Sequence, residues 1–152
     1  MVRKMIFYDK QTVFYVMVGL PGSGKSYWAE SFNCPIVSSD AIRKELSGSE
    51  DDQSINGQVF GIARYRVREY LTKNISCVFD ATNITRKDRK SILKLAPEGI
   101  TKIAVFVNTP IDKVYAQNAA RSRVVPTAVI EKMYNKLTPP SLSEGFDEII
   151  VR

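Results

Sequence analysis

Apolar positions recur along the chain in short runs that alternate with amphipathic stretches, which predicts strands separated by helices. Residues 12–18 are rich in β-branched and aromatic side chains, as is typical of a strand buried on both faces of a parallel sheet. Further strands are predicted over residues 35–39, 75–80, 102–108 and 148–151. Residues 5–8 are equally compatible with an extra edge strand and with none.

Helices are predicted between these strands, over residues 25–32, 40–46, 87–95, 111–121 and 126–137. Another helix follows the polar loop 47–53, and one of its faces carries apolar residues at helical spacing: Ile55, Val59, Ile62, Ala63, Val67, Tyr70 and Leu71. Five strands separated by helices predict an α/β fold with a parallel sheet and right-handed crossovers.

The composition indicates a single globular domain over residues 1–152, because chains of this size usually carry one core. Hydrophobic residues make up 44% and charged residues 25% of the chain. The longest apolar run, 13–20, is far shorter than the ~20 residues that cross a bilayer, and Arg3, Lys4, Asp9 and Lys10 interrupt a secretory signal. We therefore expect a cytoplasmic protein without a membrane partner, and the sequence leaves its oligomeric state open.

The chain contains no histidine, which restricts the available chemistry. Ser-His-Asp catalysis, Cys-His catalysis and histidine-ligated zinc are excluded, so carboxylates, lysines, arginines, hydroxyls and a recruited metal ion remain. Cys34 and Cys77 are too few for a cysteine metal cage, and Cys77 lies in an apolar run that predicts a buried position. The net charge of +6 would suit a polyanionic partner.

A phosphate-binding motif directly follows the first predicted strand. The residues that match the pattern G-x-x-x-x-G-K-[ST] are Gly19, Leu20, Pro21, Gly22, Ser23, Gly24, Lys25 and Ser26. The glycines allow successive amide groups to point into one concavity that suits the β-phosphate of a nucleotide. Lys25 is expected to neutralise the β- and γ-phosphates, and the Ser26 hydroxyl to ligate Mg²⁺. The motif therefore predicts binding of ATP or GTP.

A carboxylate and a guanidinium stand one helical turn apart after the second predicted strand. Asp40 and Arg43 share a helix face, and such strand ends face the ligand crevice in open α/β sheets. Asp40 is a candidate to accept the proton of an attacking hydroxyl, while Arg43 holds a phosphate or the carboxylate itself. The alternative makes Asp40 a helix cap and Arg43 its ion-pair partner, and the two interpretations can coexist.

An aspartate also ends the third predicted strand. Asp80 has two candidate roles, which are to hold metal-bound water and to orient the acceptor. Thr82 and Asn83 are candidates for capping the next helix or for contacting substrate. That helix carries basic residues that form either a solvated face or a track for nucleic-acid phosphates: Arg86, Lys87, Arg89, Lys90 and Lys94.

Two arginines lie on a short connection between the last two predicted helices. Arg121 and Arg123 are expected to fold over a bound triphosphate as a lid, where an arginine stabilises charge on the transferring phosphoryl group. In the alternative interpretation they are a solvated helix end that complements the helix dipole.

Together these motifs resemble the 5′-polynucleotide kinase domain of bacteriophage and bacterial end-healing enzymes, within the AAA_33 group of P-loop kinases. The resemblance covers nearly the whole chain and rests on residues 19–28 (GLPGSGKSYW), 40–43 (DAIR), 80–83 (DATN) with 86–89, and 118–134 (NAARSRVVPTAVIEKMY). It implies a P-loop kinase fold with sheet order 2-3-1-4-5 and a short lid. It also implies ATP, with tolerance for other nucleoside triphosphates, and Mg²⁺ as the donor pair.

The resemblance further implies roles for individual residues. Lys25 and Ser26 would bind phosphate, Asp40 would be the general base, and Arg43 would bind the acceptor. Asp80 would be an essential acceptor-site carboxylate, and Arg121 the lid arginine. The implied reaction is transfer of the γ-phosphoryl group to the 5′-hydroxyl of a DNA or RNA end. Alternatives are a kinase for tRNA-linked serine or a small hydroxylated molecule, and a nucleotide-dependent switch protein.

Overall fold

A five-stranded parallel sheet lies at the centre of this computed structural model, which describes residues 11–50 and 52–152. Its strands are β1 (Val13–Val18), β2 (Ile36–Ser38), β3 (Cys77–Asp80), β4 (Thr101–Phe106) and β5 (Glu148–Val151). They lie in the order β2-β3-β1-β4-β5, and all neighbours are parallel. This order confirms the expected sheet. The possible edge strand at residues 5–8 lies outside the described residues.

The α-helices of the described residues are α1 (Lys25–Glu30), α2 (Ser39–Ser47), α3 (Asn56–Thr72), α4 (Arg86–Leu93), α5 (Ile111–Ala119) and α6 (Thr127–Lys136). Short 3₁₀ turns occur at Gln53–Ile55 and Leu142–Glu144. Every helix and strand predicted between residues 12 and 151 is present, and most of the predicted ends differ from the observed ones by a residue or two.

The long helix α3 packs one apolar face against the sheet, as its periodicity predicts. Val59, Ala63, Val67 and Leu71 are buried and belong to a cluster that includes side chains of β1 and β3, while Ile55, Ile62 and Tyr70 pack against it partly exposed. Each of the four buried positions follows the previous one by four residues, which keeps them on one side of the helix. Truncating Leu71 to alanine would cost about 2–5 kcal/mol of unfolding free energy.

The parallel topology brings the carboxyl ends of the strands to one edge of the sheet. At this edge the Gly19 amide, just after β1, donates a 3.0 Å hydrogen bond to the Thr82 carbonyl, just after β3. Asp40 follows β2 directly, in the first turn of α2. The motifs predicted from separate parts of the sequence therefore meet on one side of the molecule.

Arg89 is a correction to the predicted basic face of α4, because its side chain is completely buried. Its Nε donates to Oε1 of Glu144 at 2.7 Å, and its Nη2 donates to Oε2 at 3.0 Å. Its Nη1 donates to the Asn83 carbonyl at 2.8 Å. Arg89 thus ties α4 to the 3₁₀ turn at Leu142–Glu144, and it is not available to a nucleic acid.

Both cysteine side chains are at least partly buried, and the burial predicted for Cys77 is confirmed. Cys77 is buried in the sheet, and burial raises the pKa of its thiol to about 12. Cys34 is partly buried, and burial also raises its thiol pKa. Both thiols therefore remain protonated at neutral pH, which makes them poor nucleophiles.

Candidate active site

The phosphate-binding motif forms the loop between β1 and α1. Gly22 and Gly24 have φ angles of 84° and 100°, where a side chain would be strained. A Cβ on Gly22 would also lie 3.0 Å from the carbonyl oxygen of Val114 in α5. The loop needs glycine at both positions for its backbone conformation, and at Gly22 also for its close contact with α5.

Side chains from distant segments hold this loop through its carbonyl groups. Gln117 donates from Nε2 to the Gly22 carbonyl at 2.6 Å, and the Thr109 hydroxyl donates to the Ser23 carbonyl at 2.7 Å. The Ser23 hydroxyl is buried and has no hydrogen-bond partner among the described residues. Sequence reasoning missed Thr109 and gave Gln117 no role, because their partners lie 86 and 95 residues away and no local pattern marks them.

Lys25 lies in the loop with its Nζ 3.3 Å from the Leu20 carbonyl oxygen. Burial lowers the pKa of its ammonium group below the ordinary value of 10.5, and the carboxylates of Asp80 and Asp40 oppose this effect. Arg121 and Arg123 lower the same pKa further by charge repulsion. An anionic phosphate at this point would favour the ammonium form by charge attraction and so offset the effects of burial and repulsion on the pKa.

Ser26 and Asp80 form the contact that best fits a metal ion. The Ser26 hydroxyl donates to Oδ2 of Asp80 at 3.0 Å, and Asp80 is buried at the end of β3. Hydroxyl and carboxylate oxygens are the kind of donors that Mg²⁺ uses together with substrate phosphates. No group of three or more Asp, Glu, Cys or His side chains in residues 11–50 and 52–152 could hold a metal ion alone. This pair therefore fits Mg²⁺ that arrives with a nucleotide.

Asp40 and Arg43 form the ion pair that their spacing predicts. Nη1 of Arg43 lies 2.7 Å from Oδ1 of Asp40. The Asn56 side-chain oxygen accepts from Nη2 of Arg43 at 2.9 Å and from Nε at 3.3 Å. The N-cap of α2 is Ser38, whose hydroxyl accepts from the Ala41 amide at 3.1 Å, so the interpretation of Asp40 as the cap is wrong. Arg43 is buried, whereas the Asp40 side chain is 44% exposed and open to a ligand.

Arg121 and Arg123 lie on the connection between α5 and α6. Asn118 fixes this connection by accepting from the Val125 amide at 3.0 Å and donating to the Val125 carbonyl at 2.7 Å. Nη1 of Arg121 is buried and has no hydrogen-bond partner among the described residues. Arg123 faces two carboxylates. Its Nη1 is 3.6 Å from Oδ2 of Asp40, and its Nε is 3.9 Å from Oε1 of Glu50.

These groups line one open cleft of about 1320 Å³, which exceeds the ~300–1,000 Å³ of most small-ligand pockets. The predicted site residues on its wall are Pro21, Gly22, Ser23, Gly24, Lys25, Ser26, Asp40, Arg43, Asp80, Arg121 and Arg123. Gly19 and Leu20 are buried behind that wall. The structure brings the predicted residues together, and their individual roles stay predictions.

Thr82 and Asn83 have different environments in the structure. Thr82 lines the cleft, while Asn83 is buried and donates to the Met17 carbonyl at 2.8 Å. The N-cap of α4 is Thr85, which accepts from the Asp88 amide at 3.1 Å, so neither residue caps that helix.

The lining of the cleft includes apolar side chains that the sequence does not predict there. We call these residues the apolar wall, and they come from α3 and from the chain between α5 and the end of α6: Phe60, Val124, Val125, Val129 and Met133. Val124 and Val129 are 55% and 40% exposed, so this surface is open to a ligand.

Comparison with known sequences finds similarity to a kinase. It is 24% identical over 142 residues to the L-seryl-tRNA(Sec) kinase of Methanococcus maripaludis, and the match covers 87% of this chain and 55% of that protein. The chain therefore spans about half the length of this curated relative. Among the described residues, no helix has the length and apolar character needed to cross a bilayer.

Solved structures share the fold. A chain of the Pnkp1/Rnl/Hen1 RNA repair complex matches with a TM-score of 0.73 and 19% identity, over 84% of this chain and 44% of that one. A gluconokinase from Sinorhizobium meliloti matches with a TM-score of 0.62 and 17% identity, over 91% of this chain and 81% of that one. The model of the AAA_33 family, described as an AAA domain, matches residues 14–140. Because that match covers most of the chain, the protein belongs to the AAA_33 family of P-loop kinases.

Proposed function

We propose that this protein transfers the γ-phosphoryl group of ATP to the 5′-hydroxyl of a polynucleotide end. The observation that supports this most is that the phosphate-binding loop, the Asp40–Arg43 pair and Arg121 line the same cleft. A phosphoryl transfer needs a donor site, a proton acceptor and a cation for the developing charge on one side of the molecule. The cleft is lined by residues that would fill all three roles.

The donor half of the cleft is built from the loop and the end of β3. Lys25 would contact the β- and γ-phosphates, with GTP and other triphosphates as further donors because the loop reads only phosphates. Ser26 would ligate Mg²⁺, and Asp80 would contact its water through the position it holds 3.0 Å from Ser26. The metal would supply neutralisation of charge on the phosphates. This arrangement favours the metal role of Asp80 over the acceptor role.

The acceptor half centres on Asp40. Oδ1 of Asp40 accepts from Arg43, which leaves Oδ2 to accept the proton of an incoming 5′-hydroxyl. The hydroxyl oxygen then bonds to the γ-phosphorus, while the bond from that phosphorus to the β,γ-bridging oxygen breaks and ADP departs. Asp40 takes up the proton of the hydroxyl and releases it to solvent after ADP departs.

Arg121 would stabilise the group in transfer. Its unpartnered Nη1 is buried beside the phosphate-binding loop, and a buried guanidinium donor without a partner is costly. A phosphoryl oxygen would satisfy this donor at the moment when charge accumulates there.

The apolar wall favours a nucleoside over a sugar as the acceptor. Val124, Val129 and Phe60 present carbon surface to the cleft, and the face of a nucleobase is the matching surface. A sugar carries hydroxyl groups all round and would leave them without hydrogen-bond partners against this wall.

A serine hydroxyl carried on tRNA is the second candidate acceptor. The sequence likeness to L-seryl-tRNA(Sec) kinase favours it over a free sugar. Both candidates join the reacting hydroxyl to a nucleic acid, and they differ in the group that enters the cleft.

A panel of acceptors with radiolabelled ATP tests the proposal. The panel contains 5′-hydroxyl DNA and RNA oligonucleotides, seryl-tRNA, free nucleosides and gluconate, with Lys25→Ala as the inactive control. We expect label at the 5′ end of an oligonucleotide. Label only on seryl-tRNA would favour the second candidate, label only on gluconate would refute both, and slow ATP hydrolysis with no acceptor labelled would favour a switch protein.

A further inference from the structure

The Asn118 side chain, in the last turn of α5, binds the backbone of Val125 through both of its polar atoms. Its Oδ1 accepts from the Val125 amide at 3.0 Å, and its Nδ2 donates to the Val125 carbonyl at 2.7 Å. Asn118 is 1% exposed and Val125 is 8% exposed, so water has little access to these groups. The two hydrogen bonds close residues 118–125 into a loop, and breaking them would leave buried polar groups without partners.

This closed loop belongs to the same packed region as the phosphate-binding motif. Val125 lies in one buried cluster with Leu20 of the motif and with side chains of α5 and α6. A Cβ on Gly22 would lie 3.1 Å from the Cβ of Asn118, so α5 approaches the motif closely at the residue that closes the loop. Asn118 therefore joins the helix that contacts the motif to the connection that carries Arg121.

Arg121 lies inside the closed loop, three residues after Asn118. Its amide donates to the Asn118 carbonyl at 3.1 Å, and its side chain lines the cleft with a buried Nη1 that has no hydrogen-bond partner among the described residues. The pKa of Lys25 is lowered by burial and also by the positive charge of Arg121, so the two cations repel each other. Without a phosphate, both this repulsion and the unpartnered donor favour movement of Arg121 out of the cleft.

We propose that Asn118 is a positioning residue for phosphoryl transfer, because its two hydrogen bonds to Val125 hold Arg121 in the cleft before the nucleotide binds. A cation that is fixed in advance stabilises developing charge without the cost of ordering the segment that carries it. Asn118 does not line the cleft, so it acts through Arg121. The inference rests on the proposed function, because it assumes that Arg121 stabilises the group in transfer.

A double-mutant cycle tests this inference. The variants are Asn118→Ala, Arg121→Gln and the double variant, and the control is Asn135→Ala, which is exposed on α6 outside the cleft. Asn118→Asp, which keeps the acceptor for the Val125 amide but loses the amide donor, replaces Asn118→Ala if that variant does not fold. The measured rate is single-turnover transfer of the labelled γ-phosphoryl group from ATP to a 5′-hydroxyl oligonucleotide and, in separate reactions, to water.

We expect Asn118→Ala to lower the transfer rate about 10- to 100-fold, as for a small misplacement of a catalytic group. The KM of ATP should stay within about 3-fold, because the lost interaction is made mainly in the transition state. In the Arg121→Gln background the same substitution should lower the rate less than about 2-fold, since the group through which it acts is already absent.

Hydrogen exchange of the free protein gives a readout that does not depend on activity. Amides of residues 119–125 should exchange about 3- to 10-fold faster in Asn118→Ala, as for the loss of a hydrogen bond, while those of β1 stay unchanged. Asn135→Ala should change neither the exchange nor the transfer rate.

Four outcomes would overturn the inference. The first is an equal loss of rate on substituting Asn118 with and without Arg121, which would show that Asn118 acts through another group. The others are unchanged exchange in residues 119–125, a wild-type rate in Arg121→Gln, and a KM of ATP that rises as much as the rate falls. If the wild-type protein labels no oligonucleotide, the proposed acceptor is wrong, and the same cycle measured on ATP hydrolysis still decides the inference.

Discussion

The Ser26 hydroxyl donates a 3.0 Å hydrogen bond to Oδ2 of Asp80, so that this side-chain contact joins the phosphate-binding motif to the end of β3. The contact joins residues 54 positions apart, and the parallel pairing of β1 with β3 brings them together. This contact is where we propose that Mg²⁺ binds together with the nucleotide.

Substitution of Asp80 should impair the use of Mg²⁺ more than the affinity for the nucleotide. In Asp80→Asn, loss of the carboxylate charge weakens the hold on metal-bound water, so more Mg²⁺ should be needed for half-maximal activity at fixed ATP. Substitution of a residue that contacts a metal through its ligands typically changes metal affinity about 10- to 100-fold. We expect the Mg²⁺ concentration for half-maximal activity to rise by about that factor. Asp112→Asn, exposed on α5 outside the cleft, is the control. An unshifted Mg²⁺ titration would assign Asp80 to the acceptor.

Nucleotide binding should be accompanied by proton uptake at alkaline pH. The pKa of Lys25 in the free protein is lowered by burial, and bound phosphates should raise it, so the ammonium form is favoured in the complex. Affinity for ADP should therefore fall as the pH rises through the lowered pKa. Calorimetric titration in buffers of different ionisation enthalpy measures the uptake. The guanidinium of Lys25→Arg stays charged, so this variant should bind ADP without proton uptake. Equal proton uptake in this variant would show that Lys25 is not the group that takes up the proton.

Loss of the Arg89–Glu144 pair should destabilise the fold without affecting acceptor affinity. Glu144→Gln leaves the fully buried guanidinium without its counterion, which should cost about 3–5 kcal/mol of unfolding free energy in urea. Glu45→Gln removes the exposed partner of Arg66 and should cost at most about 1 kcal/mol. A loss of acceptor affinity in Glu144→Gln at unchanged stability would contradict this structural role of the pair.

The Arg89–Glu144 pair should make the free energy of unfolding depend on pH in the acidic range. Burial would raise the pKa of Glu144, but hydrogen bonds from Arg89 and Ser141 outweigh it and hold that pKa below its ordinary value. The stabilisation is therefore present above the unfolded pKa of about 4.3 and is lost as the pH falls through the lower folded pKa. Urea midpoints measured from pH 6 downward should fall less in Glu144→Gln than in the wild type. Parallel curves would show that Glu144 does not contribute to this loss.

The acceptor KM should depend on salt less steeply than a basic helix would require. Arg43 and Arg123 are the cleft arginines beside Asp40, so two phosphate contacts to a single strand predict a slope of log K against log salt of about −1.4. Arg43→Ala or Arg123→Gln should flatten the slope by about 0.7 each. A slope beyond about −3 would require basic residues outside the cleft.

The sequence predicts the local parts of this site and misses the distant ones. Lys25 and Asp40 follow predicted strands and Asp80 ends one, and the parallel sheet order then places them together. The burial of Arg89 could not be predicted, since the helix pattern shows a charged residue while its partner Glu144 lies 55 residues away. The Gln117 contact with the loop could not be predicted either, because its partner Gly22 lies 95 residues away. Short-range spacing carries no information about such pairs.

Asp40→Asn tests the central claim most directly. The amide keeps the size of the side chain but cannot accept the proton of the acceptor hydroxyl, so general-base catalysis is lost. Transfer of label from ATP to the 5′-hydroxyl of an oligonucleotide should fall about 10²- to 10⁴-fold, while the Kd for ATP stays within about 3-fold. Transfer at the wild-type rate, or a loss of ATP binding equal to the loss of transfer, would contradict the assignment of Asp40 as the base that activates a polynucleotide 5′-hydroxyl.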